Sequence, residues 1–183
     1  STYTTADAVF SACFLNALNR HSDIVRMAAF APAVNTRGCI FTYDKGIVLR
    51  STYYVFRLYT EKLGDIIIDS WMANPERISV FNRKEGKTHS VDECDLLATA
   101  FSDRPGYAIA AVNKNSSEPQ SITIGLEAEG AVRLFAIAPR SVDSYNDVDR
   151  TEVRIEEKDL GPYRKGMELQ LAPHSVSVLQ IGV

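Results

Sequence analysis

The 183-residue sequence predicts a mainly β protein, in which an antiparallel β-sandwich follows a helix–strand–helix unit. Two observations predict the sandwich: short β-type segments recur after Gly64, and Pro-Gly, Asn-Ser-Ser and Glu-Gly turn sequences separate them. A third observation predicts the opening unit, because a helical apolar pattern, a continuous apolar run and a second helical pattern follow one another. We therefore expect two parts, residues 1–64 and residues 65–183, packed together across a short join.

The first predicted element is a helix that starts after Thr4. Thr4 precedes Asp7 by three residues, which is the spacing of a capping box with an acid in the first turn. Apolar residues then occur from Val9 to Leu18 and cover more than one stripe of the helical wheel. A helix that is apolar nearly all round is typical of burial on several sides, so we expect this helix to be enclosed.

The second and third elements are a strand and another helix. Residues 24–30 form an apolar run broken only by Arg26, which is typical of a parallel strand covered on both faces. Pro32 ends this run, and a loop with a turn-like Asp-Lys-Gly follows. Ser51 is predicted to cap the second helix, residues 52–63.

The remaining segments are short and β-like. They cover residues 65–69, 96–103, 107–115, 121–127, 131–138 and 175–182. In two of them, ITIGL and VSVLQI, apolar and polar residues alternate, which predicts strands with one face in water.

Composition excludes several classes of function. The net charge of −3 gives no basic face for nucleic acid, and no apolar run is long enough to cross a bilayer. The three cysteines are far apart and have no metal-ligand spacing, so we interpret them as buried thiols of a reducing compartment. We expect no nucleic-acid or membrane partner, no metal, no cofactor and a cytoplasmic location.

The chain carries no specific catalytic signature. Glycosidase chemistry needs two carboxylates across one bond, but the available acids are interpreted as turn or surface charges: Glu61, Glu76, Glu85, Asp92, Glu93 and Asp95. His21 falls at a helix C-terminus, where the helix dipole favours a proton donor, so we interpret it as a structural residue. In His89-Ser90 and His174-Ser175 the neighbours point to opposite faces of a strand, which disfavours a proton relay.

Aromatic residues offer a second kind of candidate, because a sugar face stacks well on aromatic rings. The candidates are Tyr53, Tyr54, Phe56, Tyr59 and Trp71. Phe56 and Tyr59 lie three apart on the second helix, and this spacing favours packing against the core over sugar binding.

Four stretches of the sequence carry motifs that are informative when taken in order. The first is DAVFSACFLNALNRHSDIVRMAAFAPAVN (residues 7–35), with a helix, a polar RH-x-D exit, a VRMA strand and a VN turn. The others are IVL running into TYYVFRLY (residues 47–59), AAVNK (residues 110–114) and LAPHSVSVL (residues 171–179). Each stretch alone is a weak signal, but their combination and order are specific and span essentially the whole chain. In this combination the chain resembles the α-L-arabinofuranosidases of glycoside hydrolase family 51.

The resemblance implies an architecture. Such enzymes have a (β/α)8 barrel followed by a jelly-roll sandwich, so residues 7–20 would be the seventh barrel helix and residues 24–30 the eighth strand. Residues 52–63 would be the eighth helix, and the jelly roll would begin at about Asp65. On this basis the fold is a jelly-roll β-sandwich preceded by a helix–strand–helix remnant of a barrel. The opening elements would be apolar because they pack against the other strands and helices of that barrel.

The resemblance also implies a chemistry that this chain does not contain. The family hydrolyses glycosides with retention, using one glutamate as acid–base and another as nucleophile, and both are expected upstream of Ser1. We therefore assign no catalytic residue. Only the end of the eighth strand would reach the sugar, and there Pro32 stands where many members carry a sugar-contacting Gln.

The leading hypothesis is the non-catalytic C-terminal part of an α-L-arabinofuranosidase that acts on terminal groups of arabinan, arabinoxylan or arabino-oligosaccharides. Its partners would be those saccharides through the parent enzyme, the missing catalytic barrel and further copies in a homo-oligomer. The alternatives are a stand-alone module that binds arabinosyl polysaccharide and an assembly domain of an oligomeric glycosidase. For the isolated chain we expect an exposed patch including Leu15, Leu18, Phe30 and Ile40, with self-association or collapse of the helices onto the sandwich.

Overall fold

The computed structural model describes residues 3–183. In this part of the chain two helices and fourteen strands follow in order: α1 (Thr5–Arg20), β1 (Ile40–Tyr43), β2 (Gly46–Leu49), α2 (Ser51–Lys62), β3 (Ile66–Ile68), β4 (Arg77–Asn82), β5 (Lys87–Asp92), β6 (Cys94–Ala100), β7 (Tyr107–Asn113), β8 (Gln120–Ile124), β9 (Ala131–Ile137), β10 (Asn146–Asp147), β11 (Arg150–Thr151), β12 (Glu156–Pro162), β13 (Met167–Leu171) and β14 (Val176–Ile181). The mainly β class predicted from the sequence is confirmed.

Both predicted helices form. Thr4 is the N-cap of α1, and its backbone N–H donates to the Asp7 carboxylate at 2.8 Å, as the capping-box spacing predicts. Helix α2 begins one residue earlier than predicted, because Arg50 occupies the N-cap. Ser51 instead points its hydroxyl at the backbone O of Thr4, a 2.6 Å hydrogen bond that ties the starts of the two helices together.

The expectation that α1 is enclosed on several sides is wrong. Only one stripe of the helix is buried, at the spacing of one helical face: Thr5, Ala8, Ala12 and Asn16. Phe10 and Phe14 lie on the exposed side and stack on each other with ring centroids 6.2 Å apart. The apolar residues therefore occupy two faces, and the sandwich covers one of them.

The predicted strand at residues 24–30 is also wrong. Among residues 3–183 no strand pairs with this segment, which is irregular and largely exposed. Backbone hydrogen bonds between neighbouring strands define a parallel strand, and this segment has no such neighbour in the described chain. The apolar run that predicted the strand is therefore left in solvent.

The core is organised around one six-stranded antiparallel sheet in the order β12-β9-β14-β7-β6-β3. One face of the sheet packs against α1 and α2, and the other packs against the β8–β13 pair. Strand β7 shows the alternation: Ala108, Ala110 and Val112 join the helix-side cluster, whereas Ile109 and Ala111 join the cluster under β8–β13. The helices thus pack directly on the sandwich, and the self-association or collapse expected for the isolated chain stays a prediction.

The two strands with alternating sequences behave differently. Strand β8 has one face in water, as its alternating sequence predicts, since Ser121 and Thr123 are exposed while Ile124 is buried. In β14 all six residues are buried, so the prediction of a wet face is wrong there. The helices cover that face, and the buried Gln180 side chain donates to the backbone O of Lys62 at 2.8 Å.

The join between the two predicted parts is tight. The backbone N–H of Gly64 donates to Thr99 Oγ1 at 2.8 Å, and a Cβ at position 64 would collide with the backbone O of Ala100. Only glycine fits this approach of the chain to β6. The division at residues 64 and 65 stays a prediction.

Candidate functional site: an apolar face and the loop beside it

A contiguous apolar surface, here called the α1 face, covers the outer side of α1 and the segment after it. It encloses a cleft of about 200 Å³ between the helix, residues 28–30 and α2. Within the cleft Phe30 meets Phe56 edge to face, with ring centroids 5.4 Å apart. The lining is apolar except for Ser11: Phe10, Phe14, Leu15, Leu18, Ala28, Ala29, Phe30 and Phe56.

The α1 face leaves large side chains in water. Phe10 is 70% exposed and Met27 is 86% exposed, and Phe14 and Ile24 are exposed as well. Of the residues expected in this patch, Leu15, Leu18, Phe30 and Ile40 are half-buried, so the exposed patch exists but has different principal members. Scattered apolar residues are common on surfaces, but a contiguous patch next to a cleft is typical of a surface that binds a partner.

The loop at residues 31–39, here called the Pro32 loop, follows the α1 face and is held from two sides. On one side the Asn35 side chain accepts hydrogen bonds from the backbone N and the hydroxyl of Thr42, at 2.8 and 3.0 Å. On the other side Arg50 Nη1 donates to the backbone O of Gly38 at 2.7 Å. Pro32 itself is exposed.

Arg50 is a residue that the sequence interpretation missed. The residue is only 8% exposed, and its guanidinium carbon lies 5.7 Å from the ring centre of Tyr3 and 5.4 Å from that of Phe41. A lone arginine between a strand and a helix carries no motif, so its burial could not be read from the sequence. The only available signal was its position among aromatic and aliphatic residues in IVLRSTYYVF.

Most of the acidic candidates are engaged with neighbouring side chains. Most are surface residues, and four are bound by neighbouring side chains: Glu61 by Arg57, Glu85 by His89, Asp92 by Arg77, and Asp95 by Arg20. Glu93 is buried, and its carboxylate accepts a hydrogen bond from the Asn115 side chain. Glu76 is exposed.

Asp95 belongs to a polar network that joins both helices to β6. Arg20 Nη1 lies 3.1 Å from the Asp95 carboxylate, and Asn16 Nδ2 donates to the same group at 3.1 Å. The Asn16 Oδ1 in turn accepts from the Tyr59 hydroxyl at 2.7 Å. Burial raises the pKa of Tyr59 well above its usual value, so the phenol stays a donor.

The histidine–serine pairs do not form proton relays. His174 is buried, with Nδ1 and Nε2 each 3.0 Å from the backbone O of Ser116 and of Pro139, and Ser175 donates to Ala172 instead. The His89 side chain pairs with Glu85, and the hydroxyl of Ser90 accepts from Arg77. His21 is the exposed C-cap residue of α1, as its predicted position requires.

The aromatic candidates separate onto opposite sides of the central sheet. Tyr59 is buried on the helix side, where Tyr53 and Tyr54 form an edge-to-face pair 5.5 Å apart. Trp71 is 80% exposed and borders a cleft of about 660 Å³ between the two sheets of the sandwich. The walls of this cleft are mainly apolar, and Glu76 and Glu93 also line it.

The cysteines are free thiols, and only Cys94 is buried as predicted, whereas Cys13 and Cys39 are half-buried. Burial, assisted by the nearby Asp95 carboxylate, raises the pKa of Cys13 to about 12. Burial, together with the Glu93 carboxylate, raises the pKa of Cys94 to about 11. Residues 3–183 contain no group of acids, histidines and cysteines spaced to hold a metal ion. Neither helix in this range has the length and apolarity required to span a bilayer.

Comparisons with known proteins agree with this architecture. A family model described as the α-L-arabinofuranosidase C-terminal domain matches residues 1–175. An intracellular exo-α-L-arabinofuranosidase of Bacteroides ovatus is 29% identical over 157 residues, which are 82% of this chain and 28% of that protein. An α-L-arabinofuranosidase A of Aspergillus niger is 26% identical over 94% of this chain and 26% of its own length. The chain therefore spans between a quarter and a third of these curated relatives.

A solved structure shares the fold. The arabinose complex of an α-L-arabinofuranosidase from Thermotoga maritima superposes with a TM-score of 0.87 at 23% identity. The match covers 100% of this chain and 39% of that one. The arrangement of helices and sandwich is thus that of one portion of a larger enzyme fold.

Proposed function

This chain belongs to the family of α-L-arabinofuranosidase C-terminal domains, and from that premise we propose that it serves a longer enzyme which removes terminal α-L-arabinofuranosyl groups. In this proposal the substrates are arabinan, arabinoxylan or arabino-oligosaccharides. Hydrolysis proceeds with retention, and two glutamates outside residues 1–183 act as acid–base and nucleophile. The division into barrel elements (residues 1–64) and sandwich (residues 65–183) is part of the same proposal.

The observation that carries the proposal is the α1 face. A barrel strand and its flanking helices are apolar on the sides that meet neighbouring elements. Phe10, Phe14 and Met27 are exposed where a seventh helix and an eighth strand would meet the rest of a barrel wall. We propose that the catalytic barrel covers this face and pairs with residues 24–30.

The acids of the chain support a non-catalytic role. A retaining glycosidase needs two carboxyl groups about 5 Å apart across the scissile bond. Asp95 is held in the network with Arg20 and Asn16, and Glu93 is bound by Asn115. Through these contacts both carboxylates stabilise the fold, which is a structural role.

The direct test is activity with an aryl α-L-arabinofuranoside. We expect no release of the aryl group by the isolated chain, and release by the full-length protein that carries it. Turnover by the isolated chain that disappears in Glu76→Gln, with a Glu118→Gln control unaffected, would place the chemistry in the sandwich cleft and contradict the proposal.

Location and assembly are finer proposals. A cytoplasmic enzyme fits the free state of the three cysteines among the described residues. A homo-oligomer is a further proposal, which equilibrium sedimentation of the full-length protein would test. A single mass equal to the monomer at micromolar concentration would reject it.

A second candidate function is a module that binds arabinosyl polysaccharide. One observation favours it, the exposure of Trp71 at the rim of the 660 Å³ cleft. Affinity electrophoresis in arabinan would then show retardation that Trp71→Ala removes and Phe81→Ala leaves in place. Unchanged migration of the wild-type chain in arabinan and arabinoxylan would reject this function.

A further inference from the structure

The burial of Arg50 has an unusual feature. Arg50 as a residue is only 8% exposed, yet within residues 3–183 no carboxylate lies at ion-pair distance from its guanidinium. A buried charge without a counter-ion is costly, so other groups must stabilise it. The groups present are two aromatic rings and the backbone carbonyls of the Pro32 loop.

The contacts of Arg50 converge on that loop. Nη1 donates to the backbone O of Gly38 at 2.7 Å and to that of Thr36 at 3.3 Å. The backbone N–H of Arg50 also donates to the O of Cys39 at 2.9 Å, so this one residue binds three carbonyls of the loop. The Tyr3 hydroxyl donates to the O of Arg37 at 2.6 Å and completes this side of the loop.

The Pro32 loop makes a tight turn beside Arg50. At Gly38 an added Cβ would lie 2.5 Å from the carbonyl carbon and oxygen of Ala33, so the two ends of the loop touch. Asn35 has a positive φ of 56° and its backbone N–H donates to the O of Ile40 at 2.7 Å. The carbonyls face inward to Arg50 while residues 31–37 remain exposed at the end of the segment that would form a barrel strand.

We infer that Arg50 is a positioning residue that fixes the Pro32 loop at the sugar-binding end of the parent enzyme. The inference rests on the proposed function, because it requires that residues 24–30 end at the catalytic side of a barrel. Arg50 does not touch the sugar; it holds the backbone of a loop that borders the sugar. Lysine is not equivalent, since its ammonium lacks the flat, delocalised guanidinium that lies close to both rings.

The first test measures the loop in the isolated chain. Arg50→Lys should speed amide exchange at Asn35, Gly38 and Thr42 by about tenfold, because it releases their local structure. The amide of Leu58, in the middle of α2, should keep its rate. Arg57→Lys is the matched control, since Arg57 lies on the same helix, is exposed and pairs with Glu61. Loop amides that exchange equally fast in both variants would overturn the inference.

If the Leu58 amide also exchanges faster in Arg50→Lys, the substitution has loosened helix α2 itself. In that case Phe41→Leu is used in place of Arg50→Lys. It removes one ring from the guanidinium and should raise the same loop rates by about threefold while Leu58 stays protected. Unchanged loop rates in Phe41→Leu would overturn the inference as well.

The second test measures the full-length protein with an aryl α-L-arabinofuranoside. Arg50→Lys should raise KM by roughly fivefold or more and change kcat by less than about twofold, because the loop binds ground state and transition state alike. A loosened loop with an unchanged KM would overturn the role in sugar binding. Absence of activity in the wild-type full-length protein would instead reject the proposed function. The exchange test would then still decide whether Arg50 holds the Pro32 loop.

Discussion

At the scale of single residues, the chain uses its buried polar groups to join the two helices to the sheet. Asn16 is fully buried and stands between the Tyr59 hydroxyl and the Asp95 carboxylate. If Asn16 were apolar, the half-buried Asp95 carboxylate would lose one hydrogen bond, and the buried Tyr59 hydroxyl would keep only its 3.3 Å contact with the backbone O of Ala12. Such losses are expensive because an unsatisfied buried group forfeits its hydration without compensation.

Asn16→Leu should therefore lower the free energy of unfolding by about 2–3 kcal/mol, measured by urea denaturation. The control is Asn19→Leu on the same helix, since the Asn19 side chain bonds only the backbone O of Leu15 among the described residues. The control should change stability by less than about 0.5 kcal/mol. Equal effects of the two substitutions would contradict the role assigned to the network.

Cys13 adds a pH dependence to the same region. The pKa of its thiol is about 12 in the folded chain against an ordinary value of 9.0, so the unfolded chain loses this proton first as pH rises. The unfolded state then binds fewer protons than the folded state, and the free energy of unfolding falls between pH 9 and pH 12. The contribution is fully present below pH 9.

We predict that Cys13→Ala, which keeps the site apolar, makes the decline of stability from pH 8.5 to pH 11 shallower, as followed by urea denaturation across about ten pH values. The wild-type and Cys13→Ala curves running parallel over this range would show that the thiol does not carry the effect. Tyr59 acts in the same sense, because burial raises its pKa too, so some decline should remain in the variant.

At the scale of elements, the helices and strands most readily predicted are those whose buried residues repeat at regular spacing in the sequence. The helices and strands β6, β7, β8, β9 and β14 were found because apolar residues repeat at helical or strand spacing. The hairpin of β4 and β5 and strand β12 were missed, and of these β5 and β12 are exposed and polar, as in KTHSVD and EEKDLGP. Strand β13 was missed although MELQL alternates, and the hairpin of β1 and β2 lies where a loop was predicted. Their strand form comes from pairing with a neighbouring strand, which spacing cannot reveal.

The same reasoning explains the errors of burial. The apolar residues of α1 predicted a helix correctly, but sequence could not say which apolar face the sandwich would cover. Residues 24–30 carry the composition of a buried strand, yet a strand forms only against a partner. For the candidate site, Pro32 was found through the resemblance, whereas Arg50 was invisible because its role arises from three-dimensional contacts alone.

The exposed side of α1 gives a prediction at this scale. Phe10→Ser combined with Phe14→Ser should reduce self-association of the isolated chain and its binding of a hydrophobic dye, measured by light scattering and fluorescence. Thermal stability should change little, because these rings pack mainly on each other at the surface. Phe81→Ser, on the exposed hairpin β4–β5, is the matched control and should leave both signals unchanged.

At the scale of the whole molecule, the sheet core is covered on both faces, whereas the opening part of the chain exposes apolar side chains. The six-stranded sheet is covered on one face by α1 and α2 and on the other by the β8–β13 pair. Beyond the helices, the α1 face and residues 24–30 present apolar side chains to water. Under the proposed function, this contrast reflects a division of roles, in which the sandwich would hold barrel elements against a catalytic partner.

The division also predicts how substitutions distribute their effects. Changes in the sheet core should affect folding of the isolated chain and of the full-length protein alike. Changes on the α1 face should be tolerated by the isolated chain but should destabilise the full-length protein, where those side chains would be buried.

Amide hydrogen exchange of residues 25–30, compared between the isolated chain and the full-length protein, tests the central claim most directly. We predict fast exchange in the isolated chain, where the segment has no strand partner among residues 3–183, and exchange slowed by at least about a hundredfold in the full-length protein. Equally fast exchange in both would contradict the account, because the segment would then not be a strand of the barrel wall.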